Sequence, residues 1–553
     1  MLRHRLLNII KQASHASKRK VIKYTSTGMY DKYAIVYETD NNIIVICLGL
    51  FLLGTSYILT NPNKVKPFQF KAASIARFGR SLMIGLTVSV DYWIAPLMGY
   101  TESEIHQRAA DRIVQGCLQN GGIYIKLGQG LGAVNHILPK EYVNSLEILQ
   151  DKCLIRGENE LQEIFIQEFG KKPNEVFKKI DEQPVAAASL AQVYKAETTD
   201  GEPVAVKVQY IDLRDRFYSD MRTLNYLLKI ITIMHPKFNL HWVIDELFET
   251  LAQELDFELE GKNSERCAKD LKKHDYVHIP KVYWDLSTKR ILTTEWIDGI
   301  KINNVKELKN KGLNLRDIDT KLITLMGEQI FHTGFVHGDP HPGNIFVRKG
   351  HDNKAQIILL DHGLYEYLSE KTRISLCNFW ESMILKNNHA MNVYGKELNV
   401  DDPILLAEML TQAPYSLSPF LTTEKGKKAE EHMIKQAQEH FDKIAATLRT
   451  MPKTMMLIIR NLNTIRAIVQ DHGNIIDRYR IMAKIAVRGR YKVTNLSIKK
   501  YIKGTIYKVK FETYLWLYSF IQWLLKTYLN VLWLMGYDTK QVVQLVATQS
   551  FAI

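Results

Sequence analysis

Two neighbouring segments, VHGDPHPGNIFV at 336–347 and ILLDHGL at 358–364, carry the side chains best suited to chemistry. Asp339 stands five residues before Asn344, and Asp361 follows an apolar run. That spacing suits phosphoryl transfer: the first aspartate lies near the acceptor hydroxyl, while the asparagine and second aspartate hold Mg2+ against the phosphates of ATP. The apolar runs Ile345 to Val347 and Ile357 to Leu360 read as short buried strands. Asn344 and Asp361 then sit side by side where each strand meets a loop. An isolated Asp–Gly pair is usually only a turn. The combination, with Pro340, Pro342 and Gly343 stiffening the loop between Asp339 and Asn344, is what points to a site. Gly338 stands where protein kinases carry an arginine that senses activation-loop phosphate, and His362 replaces the phenylalanine of their magnesium-binding triplet. Control by activation-loop phosphorylation is therefore not expected.

The elements that would position a nucleotide lie upstream. VAVKVQ at 204–209 alternates as a half-buried strand does and sets one lysine, Lys207, among apolar neighbours, where it can reach the α and β phosphates. A buried ammonium needs an anionic partner, and QELDFELEGKN at 253–263 offers Glu254, Asp256 and Glu260. Where kinases place a glycine-rich phosphate cover, this chain reads PVAAASLAQVYKA at 184–196. Ala186, Ala187 and Ala188 allow close backbone approach but lack the left-handed freedom of glycine, so a stiffer loop is expected. Ser189 is placed to donate to a phosphate. ILTTEWIDG at 291–299 reads as the last strand and hinge of a small lobe, with backbone from Glu295 to Ile297 available to adenine. Earlier still, Lys126 and Gln129 share one helical face within GGIYIKLGQGLGAVNHILPKEY at 121–142.

Taken together, these segments resemble the UbiB family of atypical kinases, also called the ABC1 or aarF-domain-containing kinases. KLGQ at 126–129 matches the family's KxGQ motif, AAAS at 186–189 its alanine-rich loop, and ELD at 254–256 its ExD motif. The likeness runs over roughly residues 100 to 480. It implies an α+β, two-lobed protein-kinase-like fold, with a small β-rich lobe, a mainly helical large lobe and a family-specific N-terminal helical extension. It also implies that the KxGQ helix covers the active site, with Lys126 paired to Glu254 and Lys207 to Glu260. ATP and Mg2+ are the implied cofactors. Because the cover fills the groove where a kinase would admit a peptide, the implied acceptor is a small or lipid-like molecule rather than a protein. The family theme is mitochondrial lipid and coenzyme Q homeostasis. A nucleotide-binding pseudokinase that scaffolds membrane proteins is the alternative.

The chain has 553 residues, 46% of them apolar, enough to bury a large core. Cys47, Cys117, Cys153, Cys267 and Cys377 show no paired metal or redox spacing and read as free thiols. No acidic residue occurs from Met1 to Tyr30, where Arg3, Arg5, Lys11, Lys18, Arg19, Lys20 and Lys23 recur, a composition that suits a mitochondrial presequence. Residues 42–60 then run nineteen positions without charge, roughly 28 Å as a helix and long enough to cross a membrane. Presequence and stop together suggest the inner membrane, with the kinase-like domain in the intermembrane space, although basic residues flank both sides of the span.

The expected organisation is a presequence-like segment 1–40, a transmembrane helix 42–60 and a linker with helical extension 61–120. The KxGQ segment 121–142, a small lobe 143–300, a large lobe 301–500 and a membrane-associated segment 501–553 follow. Within 61–120, the stretch 81–100, broken by Asp91, is a weaker membrane candidate and is rather expected to pack beside the KxGQ helix. TMMLIIRNLNTIRAIVQ at 454–470 reads as large-lobe scaffold. YLWLYSFIQWLLKTYLNVLWLMGY at 514–537 has Lys526 as its only charge and fits either a helix at a membrane interface or one closing the large lobe. A net charge of +14 without a recognition motif points to anionic lipid as partner rather than nucleic acid.

Overall fold

The computed structural model describes residues 62–132, 139–151, 159–187, 190–234, 251–350, 352–411, 451–473, 476–490 and 498–535, together with Tyr415 and Thr447. The presequence-like segment and the apolar span 42–60 lie outside the described residues, as do Ala188 and Ser189. Residues 1–79 and 80–553 form two units. Of the first, only the start of helix α1, Pro62–Ile94, is described; the second holds the lobes.

The extension comprises the rest of α1, α2 (Glu102–Asn120), α3 (Ile123–Gly132) and α4 (Lys140–Leu146). Thr101 opens α2 with a reciprocal capping box to Glu104. The stretch Ala73–Met98 is long and apolar enough to cross a membrane by length and composition. Its Asp91, however, is held by Arg108 at 3.1 Å and by Arg112. Tyr92 bonds to His106 and Tyr142 at 2.6 and 2.8 Å. The 81–100 region thus packs on α2 and reaches α4, where a bare aspartate in a lipid-facing helix would be costly. Gly128 explains the third position of KLGQ: a Cβ there would collide with Leu149. Ile123, Ile125, Leu149, Phe217 and Leu251 close the core of this extension.

The small-lobe sheet runs β1 (Lys179–Ile180), β3 (Ala191–Glu197), β4 (Pro203–Gln209) and β6 (Ile291–Glu295), with β2 (Ala186–Ala187) also paired to β3. Val204, Val206 and Val208 point into one apolar core with Phe165 and Phe177, which leaves Lys207 on the other face. Register pairs Lys207 with Val193 and with Leu292. Helix α5, Phe257–Leu271, lies beneath; a Cβ at Gly261 would stand 2.6 Å from Trp284, so glycine sets the approach of that ring.

A second sheet, β5 (Val277–His278), β10 (Ala355–Leu359), β9 (Ile345–Lys349) and β7 (Ile300–Lys301), gathers strands from both sides of residue 300. Its strand β5 falls within the segment expected to be small lobe but pairs in parallel with β10. The expected strands at 345 and 357 are β9 and β10, and Ile345 faces Leu359 across their antiparallel pair. The two-stranded pair β8 (Phe335–His337) and β11 (Tyr365–Tyr367) flanks the same loops. The large-lobe helices α6 (Leu315–Glu328), α7 (Glu370–Ile384), α8 (Lys453–Asp471), α9 (Arg478–Arg490) and α10 (Ile498–Leu534) share a core that includes Leu322, Phe331, Phe379, Trp380 and Ile465. Between β8 and α6, the π turn Gln329–Thr333 ends at Gly334, whose φ of +67° reverses the chain into β8. Cys117, Cys267 and Cys377 are free and buried; Cys47 and Cys153 lie outside the described residues.

Candidate active site

The antiparallel β9–β10 pair ends with Asn344 and Asp361 facing each other: the Asn344 amide donates to Asp361 Oδ2 at 3.1 Å. The backbone N–H of Gly363 donates to the other carboxylate oxygen at 3.0 Å. From the small lobe, Lys207 Nζ lies 3.8 Å from Asp361 and donates to both oxygens of Glu260, at 2.7 and 2.9 Å. Its ammonium also sits 5.0 Å above the Phe257 ring. Glu260 is 3% exposed; an unpaired carboxylate there would be strongly destabilising, so the lysine is as much a requirement of Glu260 as the reverse.

From the extension, Lys126 lies 3.0 Å from Glu254 and 3.9 Å from Asp339. Its pairing with Glu254 is the one the family likeness implies. Asp256 is placed differently: it caps α5, accepting from the N–H groups of Glu258 and Leu259 at 3.1 and 3.2 Å. That cap fixes the first turn, which carries Glu260. Gln129 turns to the neighbouring helix, donating to Leu149 O at 2.8 Å. Glu295 ends β6, and its carboxylate is taken by His278 at 2.9 Å. The N–H groups of Glu295 and Trp296 are bonded to Lys281 O and Pro203 O, and Ile297 is buried. Ala186 and Ala187 lie in β2 opposite Val193 and Gln192.

Asp339 meets a partner that sequence reasoning missed. Arg460, on α8, donates to Asp339 Oδ2 at 2.7 Å, and the next residue, Asn461, donates to His337 O at 2.7 Å. Asn461 is fully buried. The signal in the sequence was an arginine and asparagines interrupting an apolar helical run that otherwise reads as scaffold. His337 is the second omission. Its Nε2 donates to the Asp361 carbonyl at 2.8 Å, while its Nδ1 accepts from the Asp339 N–H at 3.1 Å. A carbonyl can only accept and an N–H only donate, so these bonds fix the neutral tautomer. Burial pushes the His337 pKa down in the same direction. His362 is held alike, donating to Leu359 O and accepting from Tyr365 OH, and burial together with His337 depresses it to about 3. Gly338 admits no side chain, since a Cβ would stand 2.7 Å from Leu364 Cγ.

Electrostatics follow from the pairing. Burial alone raises the Asp361 carboxyl, but Lys207 and then Lys126 overcome it and hold the group well below the usual carboxylate range. Burial likewise opposes ionisation of Asp339, and Arg460 followed by Lys126 reverses the outcome, leaving it lowered. Both carboxylates are therefore charged at neutral pH. Among the described residues no group of three or more His, Cys, Asp or Glu side chains could hold a metal alone. Asn344 and Asp361 supply two hard oxygen donors, which fits Mg2+, an ion that keeps several waters and takes further ligands from phosphates. When bound, the ion would neutralise charge on those phosphates.

Residues 148–394 match the ABC1 atypical kinase-like domain. A probable serine/threonine-protein kinase, abkD, of Dictyostelium discoideum is 38% identical over 83% of this chain and 68% of its own length. A putative ABC1 protein of Arabidopsis thaliana is 30% identical over 89% of this chain and 98% of its own. AarF domain-containing protein kinase 1 of Mus musculus is 34% identical over 80% and 84% of the respective lengths. On these relationships the chain belongs to the ABC1, or AarF domain-containing, family of atypical kinases.

Proposed function

We propose that this protein is an ATP- and magnesium-dependent kinase or ATPase that acts in mitochondrial lipid or coenzyme Q homeostasis, anchored at the inner membrane with its kinase-like domain in the intermembrane space. The observation that carries the chemistry is the convergence of the small-lobe strand β4 with the β9–β10 hairpin: Lys207 stands 3.8 Å from Asp361, which Asn344 joins at 3.1 Å. Lys207 steadies phosphate, Asn344 and Asp361 hold the ion, and Asp339 orients a hydroxyl or water. Lys126 reaches over Asp339, which supports a small or lipid-like acceptor in place of a peptide. The anionic lipid of the membrane is the natural counterpart of a chain with net charge +14.

One observation favours a second reading, a nucleotide-binding pseudokinase scaffold: Asp339 is engaged by Arg460 and lies near Lys126, with neither a substrate group. Asp361→Asn tests the first reading through magnesium-dependent ATP binding and turnover of the full chain. Loss of both is expected, and unchanged binding and turnover reject the metal role. Asp339→Asn in cells deleted for the protein separates the readings: failure to rescue at normal abundance supports catalysis, and full rescue supports the scaffold.

A further inference from the structure

Helix α10 is two structures in one. Its first half belongs to the large lobe: Phe511 and Leu515 are buried in the lobe core, Tyr507 donates to Glu381, and Arg488 pairs with Glu512 at 2.7 Å. Beyond Leu515 the helix leaves the core. Leu517, Phe520, Ile521, Leu524, Tyr528, Val531 and Met535 are 41 to 69% exposed, and their spacing puts them on one broad face. Ser519, Gln522, Lys526 and Asn530 recur at intervals of three and four, which lines their positions along the opposite side. Trp516, Phe520 and Trp523 stack in succession, with ring centroids 5.5 and 5.9 Å apart. Lys499, Lys500, Lys503, Lys508 and Lys510 precede the apolar half.

We propose that residues 516–535 lie in the interface of an anionic bilayer, apolar face down, and fasten the large lobe to it. A narrow polar line, a wide exposed apolar face, an aromatic ridge and a lysine-rich approach are the features of a helix lying at the headgroup boundary. A protein partner would supply no reason for five lysines beside the apolar half, whereas anionic headgroups do. Among the described residues, the stretch apolar enough to cross a membrane by length and composition is Ala73–Met98; the polar line along α10 fits the interface instead. The inference deepens the membrane placement proposed above and rests on it. Its particular consequence is that the catalytic lobe is held to lipid at its C-terminal end as well as through any N-terminal anchor.

The test uses the full chain with Cys47 and Cys153 replaced by serine, reconstituted in vesicles of phosphatidylcholine mixed with phosphatidylglycerol. An environment-sensitive fluorophore is attached at L524C, on the exposed apolar face, or at N530C, on the polar line. The expected result is a blue-shifted L524C label quenched by lipid-borne quenchers, with iodide quenching several-fold weaker than for the N530C label. In phosphatidylcholine alone that protection should drop several-fold. An L524C label that stays open to iodide overturns the proposal, as does one shielded from iodide yet insensitive to lipid quenchers, which would indicate a second copy or another protein. If labelling at L524C abolishes ATP binding, L517C on the same face replaces it. Vesicle flotation and ATP binding on the same samples keep the outcomes apart. Flotation with an open label sinks this inference alone, and loss of flotation in the parent chain sinks the membrane placement.

Discussion

Removing Lys207 should expose how much the small lobe depends on one ammonium. At an effective dielectric of 20, its attraction to Glu260 at 2.7 Å and to Asp361 at 3.8 Å is about 6 and about 4 kcal/mol before desolvation. Desolvation offsets most of this, so the net cost of breaking such a buried pair is about 3 kcal/mol. Lys207→Met is expected to lose that amount, because Glu260 is left buried without its counter-ion, where burial raises its pKa and it must stay charged unpaired or take up a proton. Glu260→Gln should cost about 1.5 kcal/mol, since Lys207 keeps Asp361 as a partner and the amide still accepts a hydrogen bond. The double variant buries no lone charge on Glu260 and should cost about 2.5 kcal/mol, a favourable coupling of about 2 kcal/mol relative to the sum. Urea unfolding of the full chain in detergent at neutral pH measures all three. Strict additivity, or a Lys207→Met cost under about 1 kcal/mol, would refute the argument that the pair exists chiefly to neutralise a buried carboxylate.

Three further outcomes follow from named contacts. His362 titrates near 3 in the folded chain against about 6.5 when unfolded, so its contribution is complete above about pH 6.5 and is lost as pH falls towards 3. His362→Phe, without its bonds to Tyr365 and Leu359, should be about 1–3 kcal/mol less stable at neutral pH yet show a shallower acid decline in urea midpoints. Asp256→Ala removes the α5 cap and should cost about 1 kcal/mol, which Asp256→Asn largely restores; equal losses in both would mean that the carboxylate acts on the site instead. Arg460→Gln leaves Lys126, at 3.9 Å, as the nearest cation to Asp339, and because Arg460 is the largest influence lowering that carboxyl, the acid limb of ATP turnover should move to higher pH. An unmoved limb would show that Asp339 ionisation does not govern it.

Much of the site could be read in the sequence because its parts obey local rules. Strands alternate with period two, so Lys207 and the apolar runs leading to Asn344 and Asp361 declare their faces. The KLGQ glycine likewise announces close packing, which Leu149 provides. The partners of Arg460 and Asn461 are not legible in the same way, although both residues interrupt an apolar run. A helix that buries most of its surface gives no periodic hint of which polar residue faces a loop more than a hundred positions earlier. Asp256 misled by proximity: sitting between Glu254 and Glu260 it looked like a third counter-ion, yet DFELE is also a helix start, and the cap is what it supplies. The C-terminal segment fitted two descriptions because its halves differ. Phe511 and Leu515 close the lobe while Trp516, Leu517, Phe520 and Leu524 beyond them are exposed.

The arrangement around Asp339 bears on what the site can do. Its side chain is held by Arg460 from the large lobe and approached by Lys126 from the extension, and its N–H is held by His337, whose carbonyl Asn461 fixes in turn. Cations that stabilise a carboxylate lower its proton affinity, so Asp339 is a poor acceptor of a proton at neutral pH in this conformation. It is nevertheless rigidly aimed. In phosphoryl transfer through a loose transition state, the attacking oxygen gains little from early deprotonation and much from alignment. His337 serves the same end from the other side, since one neutral ring joins the backbone of Asp339 to that of Asp361. A protonated His337 could not accept the Asp339 N–H, so protonating this ring should loosen the link between the two loops.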